Sequence, residues 1–450
     1  MKLFLDDTIV APATKVAKQA ISIIRLSGPK AFEIVNKLLN KNLEYTNKQQ
    51  LRKVYIHGSL VDESLFVTFV ENKSFTGENV IEINCHGGIL LTNKIISETI
   101  KLGARMAEPG EFMKRAYMNG KISLIQAEGI NNLIESKNEL SLQISAMNMS
   151  GSKNKNILWI KEQIMDLVSR IQTSIDYPDY DDIEGSNPEE IKKTLAILKS
   201  YLEKTITISK RANTAFEGIK TLIIGEPNVG KSSILNAMIN EEKAIVTDIE
   251  GTTRDIVEGQ INFPQFTLKL IDTAGIRKTD DVVEKLGIQK SIDQIELADL
   301  VLFVVNDKNV NQNILDKIKN KKHIIVVNKK DLLDKKQVNK FKEQFENAVF
   351  ISAIKNDLEE LEQKIHDMFN NDDLLSSDLT ILTNLKNITS LENILQLIDE
   401  CIANLEIGFD FDILSVDLYK SLEIVNSLLG IINSEEEIID NIFKKYCLGK

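Results

Sequence analysis

The sequence predicts an α/β multidomain protein: an N-terminal α+β domain, a helical central domain, and a P-loop domain with a Ras-like parallel sheet inserted into the helical one. Three observations carry this. From about residue 216, short apolar runs bounded by turns alternate with helical stretches, the pattern of a parallel sheet covered on both faces. On either side of that region, apolar residues recur at helical spacing. Ahead of both, strand-like runs and short helices mix. The expected divisions are 1–120, 121–215, 216–371 and 372–450.

In the first division, ISIIRLSG, SLFVTFV and VIEINC read as strands and AFEIVNKLL as a helix. The turn signals SFTGEN and CHGG separate them. SFTGENVIEINCHGG and EPGEFMKRAYMNGK read as functional loops, because glycine and polar residues cluster there between buried runs. Within this domain Arg25, Glu82 and Lys121 can bind an anionic or pterin-like ligand; the plainer alternative is that they are ordinary surface or paired charges.

In the second division, Ile157, Ile160, Ile164, Leu167, Ile171 and Ile175 form one buried helical stripe. The acidic stretch DYPDYDDIEGSNPEE (176–190) breaks it, either as a divalent-cation loop or as a solvated turn.

The third division carries the chemistry. GEPNVGKS (225–232) fits GxxxxGK[ST] between a predicted strand and a predicted helix. Its amides can wrap phosphates, Lys231 can reach the β and γ phosphates, and Ser232 can ligate Mg²⁺. TDIEGTTRD (247–255) supplies Thr253 for Mg²⁺ and the γ-phosphate. Asp272 can hold the metal's water shell, and Gly275 can offer its amide. NKKD (328–331) places Asp331 to accept paired hydrogen bonds from guanine, and adenine lacks that pairing. SA (352–353) ends the next strand, where an amide can meet the guanine oxygen. GTP would thus be lined by Asn228, Val229, Gly230, Lys231, Ser232 and Ser233, and by Thr247, Asp248, Ile249, Glu250, Gly251, Thr252 and Thr253. Asp272, Thr273, Ala274 and Gly275 follow, then Asn328, Lys329, Asp331, Ser352 and Ala353.

One residue departs from the Ras pattern. After DTAG, the glutamine that orients the attacking water is replaced by Ile276, which has no polar atom in its side chain. Other groups must do this work, and Arg254, Arg277 and Glu284 lie in or beside the switch segments. Asn228 either holds a monovalent cation beside the phosphates or simply tolerates a tight turn.

Composition excludes several classes. With 43% hydrophobic and 27% charged residues the chain is an ordinary globular one. No apolar run approaches the roughly 20 residues of a membrane span, and the first residues do not read as a secretory signal, so the expected compartment is the cytoplasm. Net charge of −11 argues against a broad nucleic-acid-coating face. Cys85, Cys401 and Cys447 lie far apart and form no metal or disulfide pattern. Near the C-terminus, Cys447 beside Lys444, Lys445 and Lys450 is either a reactive thiol or part of a frayed tail.

DTIVAPAT, IIRLSG, SFTGE, CHGG, EPGEFMKRAYMNGK, the embedded TDIEGTTRD and DTAGIR, and the terminal CLGK together resemble the MnmE (TrmE) family of tRNA modification GTPases over nearly the full length. The resemblance implies an N-terminal domain that dimerises and binds 5,10-methylenetetrahydrofolate or 5-formyltetrahydrofolate through Arg25, Glu82, Lys121 and the terminal Lys450. It implies K⁺-dependent hydrolysis with Asn228, Thr247, Ile249 and Thr252 as potassium ligands, Mg²⁺ at Ser232 and Thr253, and Glu284 positioning the water. It also implies an FAD-dependent partner, MnmG (GidA), with which a carboxymethylaminomethyl or aminomethyl group is added to C5 of the wobble uridine of certain tRNAs, the partner supplying much of the tRNA surface. Cys447 is then a candidate nucleophile or proton-relay thiol. Two segments depart from the family pattern: the usual glycine-rich stretch reads KVAKQAIS (15–22), and the usual Asn-x-Arg-His reads NLKN (384–387). The competing reading is a binding switch, a ribosome-assembly or membrane-associated GTPase, which would not retain tetrahydrofolate.

Overall fold

The computed structural model describes residues 7–151, 154–176, 188–226, 228–240, 257–263, 266–271, 294–305, 312–345, 348–369, 372–407 and 411–429. They fall in two compact units, those within 1–131 and 426–450 and those within 132–425.

The first unit is built on a six-stranded sheet of β1 (Thr8–Pro12), β2 (Ile21–Ser27), β3 (Lys48–Ile56), β4 (Ser59–Phe69), β5 (Val80–His86) and β6 (Ala104–Met106), in the order β3-β4-β5-β2-β1-β6. All pairs are antiparallel except β1–β6. The three expected strands form. Those the sequence reading passed over are β1, whose TIVAP is short and unalternating, β3, a charged edge strand, and β6, only three residues long. Alternation along β2 sends Ile24 and Leu26 into a core with Ile81, Ile83 and Cys85. That core is covered by α1 (Ala31–Asn36) and α2 (Ile89–Lys101) through Ile34, Val35, Ile95 and Ile96. Arg25 and Glu82 are directly opposed in register on the other face. There α3 (Glu111–Met118) lays Phe112 against Ile9 and Ala11, and α4 (Leu124–Glu135) follows.

The second unit opens with α5 (Glu139–Met149), α6 (Asn154–Asp176) and α7 (Pro188–Glu217). The expected stripe is buried: Ile157, Ile160, Ile164, Leu167 and Ile171 are 0% exposed, with Ile175 half-buried. Most of the acidic stretch 176–190 lies outside the described residues.

Strands then alternate with helices. β7 (Ile219–Gly225), β8 (Val257–Asn262), β9 (Thr267–Ile271), β10 (Leu300–Val305), β11 (His323–Val327) and β12 (Ala348–Phe350) form a sheet ordered β12-β11-β10-β7-β9-β8. It is parallel, as expected, except for the edge strand β8, which runs antiparallel to β9. The sequence reading passed over β8 because VEGQIN is half polar and shifts register beside Gly259. One face is covered by α8 (Lys231–Asn240) and, after α9 (Gln312–Ile318) and α10 (Lys335–Gln344) on the opposite face, by α11 (Glu359–Met368).

The chain finishes through α12 (Asp372–Ser376), α13 (Leu385–Ile407) and α14 (Phe411–Leu429). Along α7 the residues Ile191, Leu195, Leu198, Leu202, Thr205, Ser209 and Ala212 are buried, in alternating steps of four and three. This is a coiled-coil seam, and α13 packs against it with Ile388, Leu391, Ile394, Ile398 and Cys401 buried. Lys192–Glu406 (2.8 Å), Lys199–Asp399 (2.7 Å) and Lys210–Glu392 (2.6 Å) flank the seam. Their order, 192, 199 and 210 against 406, 399 and 392, shows α13 running antiparallel to α7. At the foot of the pair, Arg211 grips both carboxylate oxygens of Asp373 at 2.8 and 2.6 Å. Among the described residues no helix is long and apolar enough to cross a membrane.

Two cysteines are sealed in these cores. Burial pushes the Cys85 thiol up to about 11, Asp62 adding to the effect, and Cys85 Sγ donates to Ser22 O at 3.4 Å. Burial pushes Cys401 up to about 12, with Asp417 and Glu400 contributing. Thiolate, the reactive form, is therefore scarce at both. Brief maleimide treatment of the native protein at neutral pH is expected to leave both unlabelled by peptide mapping. Label on either before unfolding would contradict their burial.

Candidate nucleotide site

The phosphate loop is the turn from β7 into α8, so its amides and the α8 N-terminus converge on one point. Each glycine has a steric reason. A Cβ on Gly225 (φ 159°) would lie 2.3 Å from Val304 O on the neighbouring β10. A Cβ on Gly230 (φ 100°) would lie 2.2 Å from Asn328 Nδ2.

Between them Asn228 adopts a left-handed φ of 61°, a conformation asparagine tolerates. It is exposed, and its side chain makes no hydrogen bond to another described residue. Lys231 is turned onto its own loop, Nζ donating to Gly225 O at 3.0 Å and Glu226 O at 2.8 Å. Its ammonium thus sits where it can exchange loop carbonyls for phosphate oxygens. Ser232 and Ser233 lie in the first turn of α8.

The base-recognition loops adjoin this turn. Asn328 is 3% exposed, and its amide is used within the protein. Nδ2 donates to Val229 O (3.0 Å), while Oδ1 accepts from Lys329 N (2.8 Å) and Ala353 N (3.3 Å). One side chain thereby joins the phosphate loop to the NKKD and SA segments. Lys329, also left-handed at φ 61°, reaches Asn228 O at 3.2 Å. Ser352 Oγ donates to Asp331 Oδ1 at 2.6 Å, which holds the exposed carboxyl below its usual range. Asp331 is therefore held ionised, and its carboxylate can accept from two donors such as those of a guanine edge.

The structure brings together Asn228, Val229, Gly230, Lys231, Ser232, Ser233, Asn328, Lys329, Asp331, Ser352 and Ala353. Thr247 through Thr253, Asp272 through Gly275, Ile276, Glu284, Cys447 and Lys450 lie outside the described residues.

In the first unit, Arg25 gives Nε (2.9 Å) and Nη2 (2.7 Å) to one oxygen of Glu82, Oε1. The pair is partly exposed, with the guanidinium 5.8 Å from the centre of the Phe112 ring. Oε2 of Glu82 accepts nothing from a described residue and remains open to a ligand donor. Lys121 lies against Gly77 and donates to Asn72 O at 2.6 Å. The loop carrying Asn72 and Gly77 meets the Arg25 face of β2 at Thr76, whose hydroxyl is 2.7 Å from Ser27 Oγ.

Beside them is a cluster the sequence reading passed over. Arg115, 0% exposed, contacts Asp7 Oδ1 (2.6 Å), Glu78 Oε1 (3.1 Å) and Glu111 Oε1 (3.0 Å), while Arg105 also binds Glu111 (2.6 Å). Burial pushes the Glu111 carboxyl up, but donors from Arg105, the Glu108 amide and Arg115 outweigh it and hold it below its usual range. The available signal was the i,i+4 pair Glu111/Arg115 inside EPGEFMKR.

A family model described as MnmE helical domain matches residues 124–447, and one described as GTP-binding protein TrmE N-terminus matches residues 8–121. The chain is 54% identical over 453 residues, all of both chains, to the tRNA modification GTPase MnmE of Mycoplasma mycoides subsp. mycoides SC. It is 50% identical to that of Mesoplasma florum, over 99% of each chain. Against that of Streptococcus thermophilus it is 40% identical over 99% of this chain and 98% of the relative.

Proposed function

Because the chain belongs to the MnmE (TrmE) family of tRNA modification GTPases and is a GTP-hydrolysing enzyme of tRNA modification, we propose that a bound K⁺ replaces the glutamine missing at Ile276. The observation that carries this is Asn228, an exposed amide held in the phosphate loop with no described protein partner. Thr247, Ile249 and Thr252 would complete the cation's ligands, and Ser232 and Thr253 would hold Mg²⁺. The cations supply positive charge to the phosphates as the transition state forms. The chain's own groups do the rest. Lys231 moves from its loop carbonyls to the phosphates, Asp331 and the Ala353 amide select guanine, and Glu284 positions the water.

Tetrahydrofolate fits the first unit, where Glu82 has an oxygen open to ligand N–H groups, Arg25 orients it, and Lys121 and Lys450 supply charge for an anionic tail. When bound, the folate supplies the one-carbon unit. The protein acts as a cytoplasmic homodimer with an FAD-dependent MnmG-type partner on the wobble uridine of certain tRNAs, with Cys447 as a thiol in that chemistry.

The test is GTP hydrolysis in K⁺ and in Na⁺ at matched ionic strength. Stimulation by K⁺ of at least about tenfold is expected, and it should vanish in Asn228→Ala. Equal slow rates in both salts would discard the cation and favour a GTPase that waits for an external activator.

A further inference from the structure

We propose that Asn138 is a positioning residue that passes the nucleotide state of the sheet to the helical part of the same unit. The proposal rests on the GTPase reading above. Asn138 is the N-cap of α5 and 9% exposed. Its Oδ1 accepts from Ser141 N at 2.8 Å, completing a capping box. Both amide protons of Nδ2 are also used. One goes to Ala215 O in the last turn of α7 (3.0 Å), the other to Thr267 Oγ1 at the start of β9 (3.2 Å). Thr267, 1% exposed, donates onward to Asn262 Oδ1 at the end of β8 (3.0 Å). One residue earlier, Lys137 Nζ donates to Gln260 Oε1 on β8 at 2.9 Å, and Gln260 is 5% exposed.

The placement matters more than the number of bonds. Asn262 and Thr267 are paired in register at the closed end of the β8–β9 hairpin. The open end of that hairpin leads into the two γ-phosphate segments. Val257 follows TDIEGTTRD by two residues, and Ile271 immediately precedes DTAGIR. A nucleotide-driven shift of the hairpin therefore pulls at its closed end, where Asn138 holds it to the α5 N-terminus and to α7. The linking groups are buried, so a broken bond leaves polar atoms without water to replace it. The corner follows the hairpin rather than letting go. A residue that merely cemented two domains would need neither the double use of Nδ2 nor attachment at this hairpin.

Three full-length variants separate relay from cement. Asn138→Ser keeps an N-cap oxygen but loses the reach to Ala215 and Thr267. Thr267→Val removes the hydroxyl at constant shape, and Thr267→Ser restores it. Each is measured for GTP hydrolysis, for tRNA modification with the partner enzyme present, and for hydrogen exchange of the α5 amides in GDP against a non-hydrolysable GTP analogue. Asn138→Ser and Thr267→Val are expected to hydrolyse GTP within about threefold of wild type while modification falls by about tenfold or more. The nucleotide-dependent difference in α5 exchange should disappear in both and return in Thr267→Ser. Wild-type modification and exchange in both variants would overturn the proposal. So would a parallel fall in hydrolysis and modification, which would make the corner part of the switch itself. Failure of the underlying GTPase reading would look different, since wild-type protein would then not hydrolyse GTP.

Discussion

Arg115→Met is expected to destabilise the first unit by about 3–5 kcal/mol, the range for removing one partner of a buried charge cluster. That is a large share of a domain's total stability. All three guanidinium nitrogens are engaged: Nε and Nη2 with Glu111, Nη1 with Glu78 and Asp7 O, and Nη2 with Asp7 Oδ1. Methionine fills much of the volume and leaves those acceptors facing one another. Arg115→Lys should recover little, because a single ammonium cannot span the fork. Urea unfolding followed in the N-terminal unit reads the loss directly, and a change below about 1 kcal/mol would show that Arg105 alone suffices.

The same cluster sets a pH limit. Burial raises the Asp7 and Glu111 carboxyls, but their arginine partners hold both below their ordinary values. Their stabilisation is then present above the unfolded carboxylate range, roughly pH 4. It is lost as pH falls below that range, through the lower folded values. The wild-type unit should hold to about pH 4 and weaken below it, and Arg115→Met should flatten that dependence.

Gly230→Ala is the second large effect expected, a loss of GTP affinity of roughly 10²-fold. The new Cβ would sit 2.2 Å from Asn328 Nδ2 at a φ of 100°. The backbone strain is worth about 1–3 kcal/mol, and displacing Asn328 from Val229 O adds about as much. In Gly230→Ala the loop sheds this strain by moving away from Asn328, and binding must then restore the wild-type form. Calorimetry with a non-hydrolysable GTP analogue measures this. Affinity within about threefold of wild type would mean that Asn328 does not constrain the loop.

Much of this was legible because it follows from period and spacing. The β10 strand and most of β11 are continuous apolar runs, β7 carries one from Leu222 to Ile224, and the α6 stripe has the helical repeat. The phosphate loop and the NKKD and SA segments have fixed residue types that the chemistry demands. What escaped is what local pattern does not encode. β3 and β8 are edge strands whose polar residues disguise them. For Arg115 the sequence offers only the i,i+4 partner Glu111, which a solvated helix face would also show, since the other carboxylates come from positions 7 and 78. The sequence offers Asn328 as a nucleotide contact; that its amide also organises three loops is visible only when Val229 O and Ala353 N are brought beside it.

The meeting of Arg211 with Asp373 bears on ancestry. The chain leaves α7 for the nucleotide domain and returns at α12 beside its point of departure, and the seam between α7 and α13 closes across that doorway. Because the two ends of the folded guest lie side by side at Arg211 and Asp373, it spans the doorway as a short connection does, and the closure cost need not grow with its full length as (3/2)RT ln n. A helical hairpin of this kind can receive a finished enzyme as a graft, without its own core being redrawn. The host and the guest can then diverge under separate selection, sharing only the few buried contacts that join them.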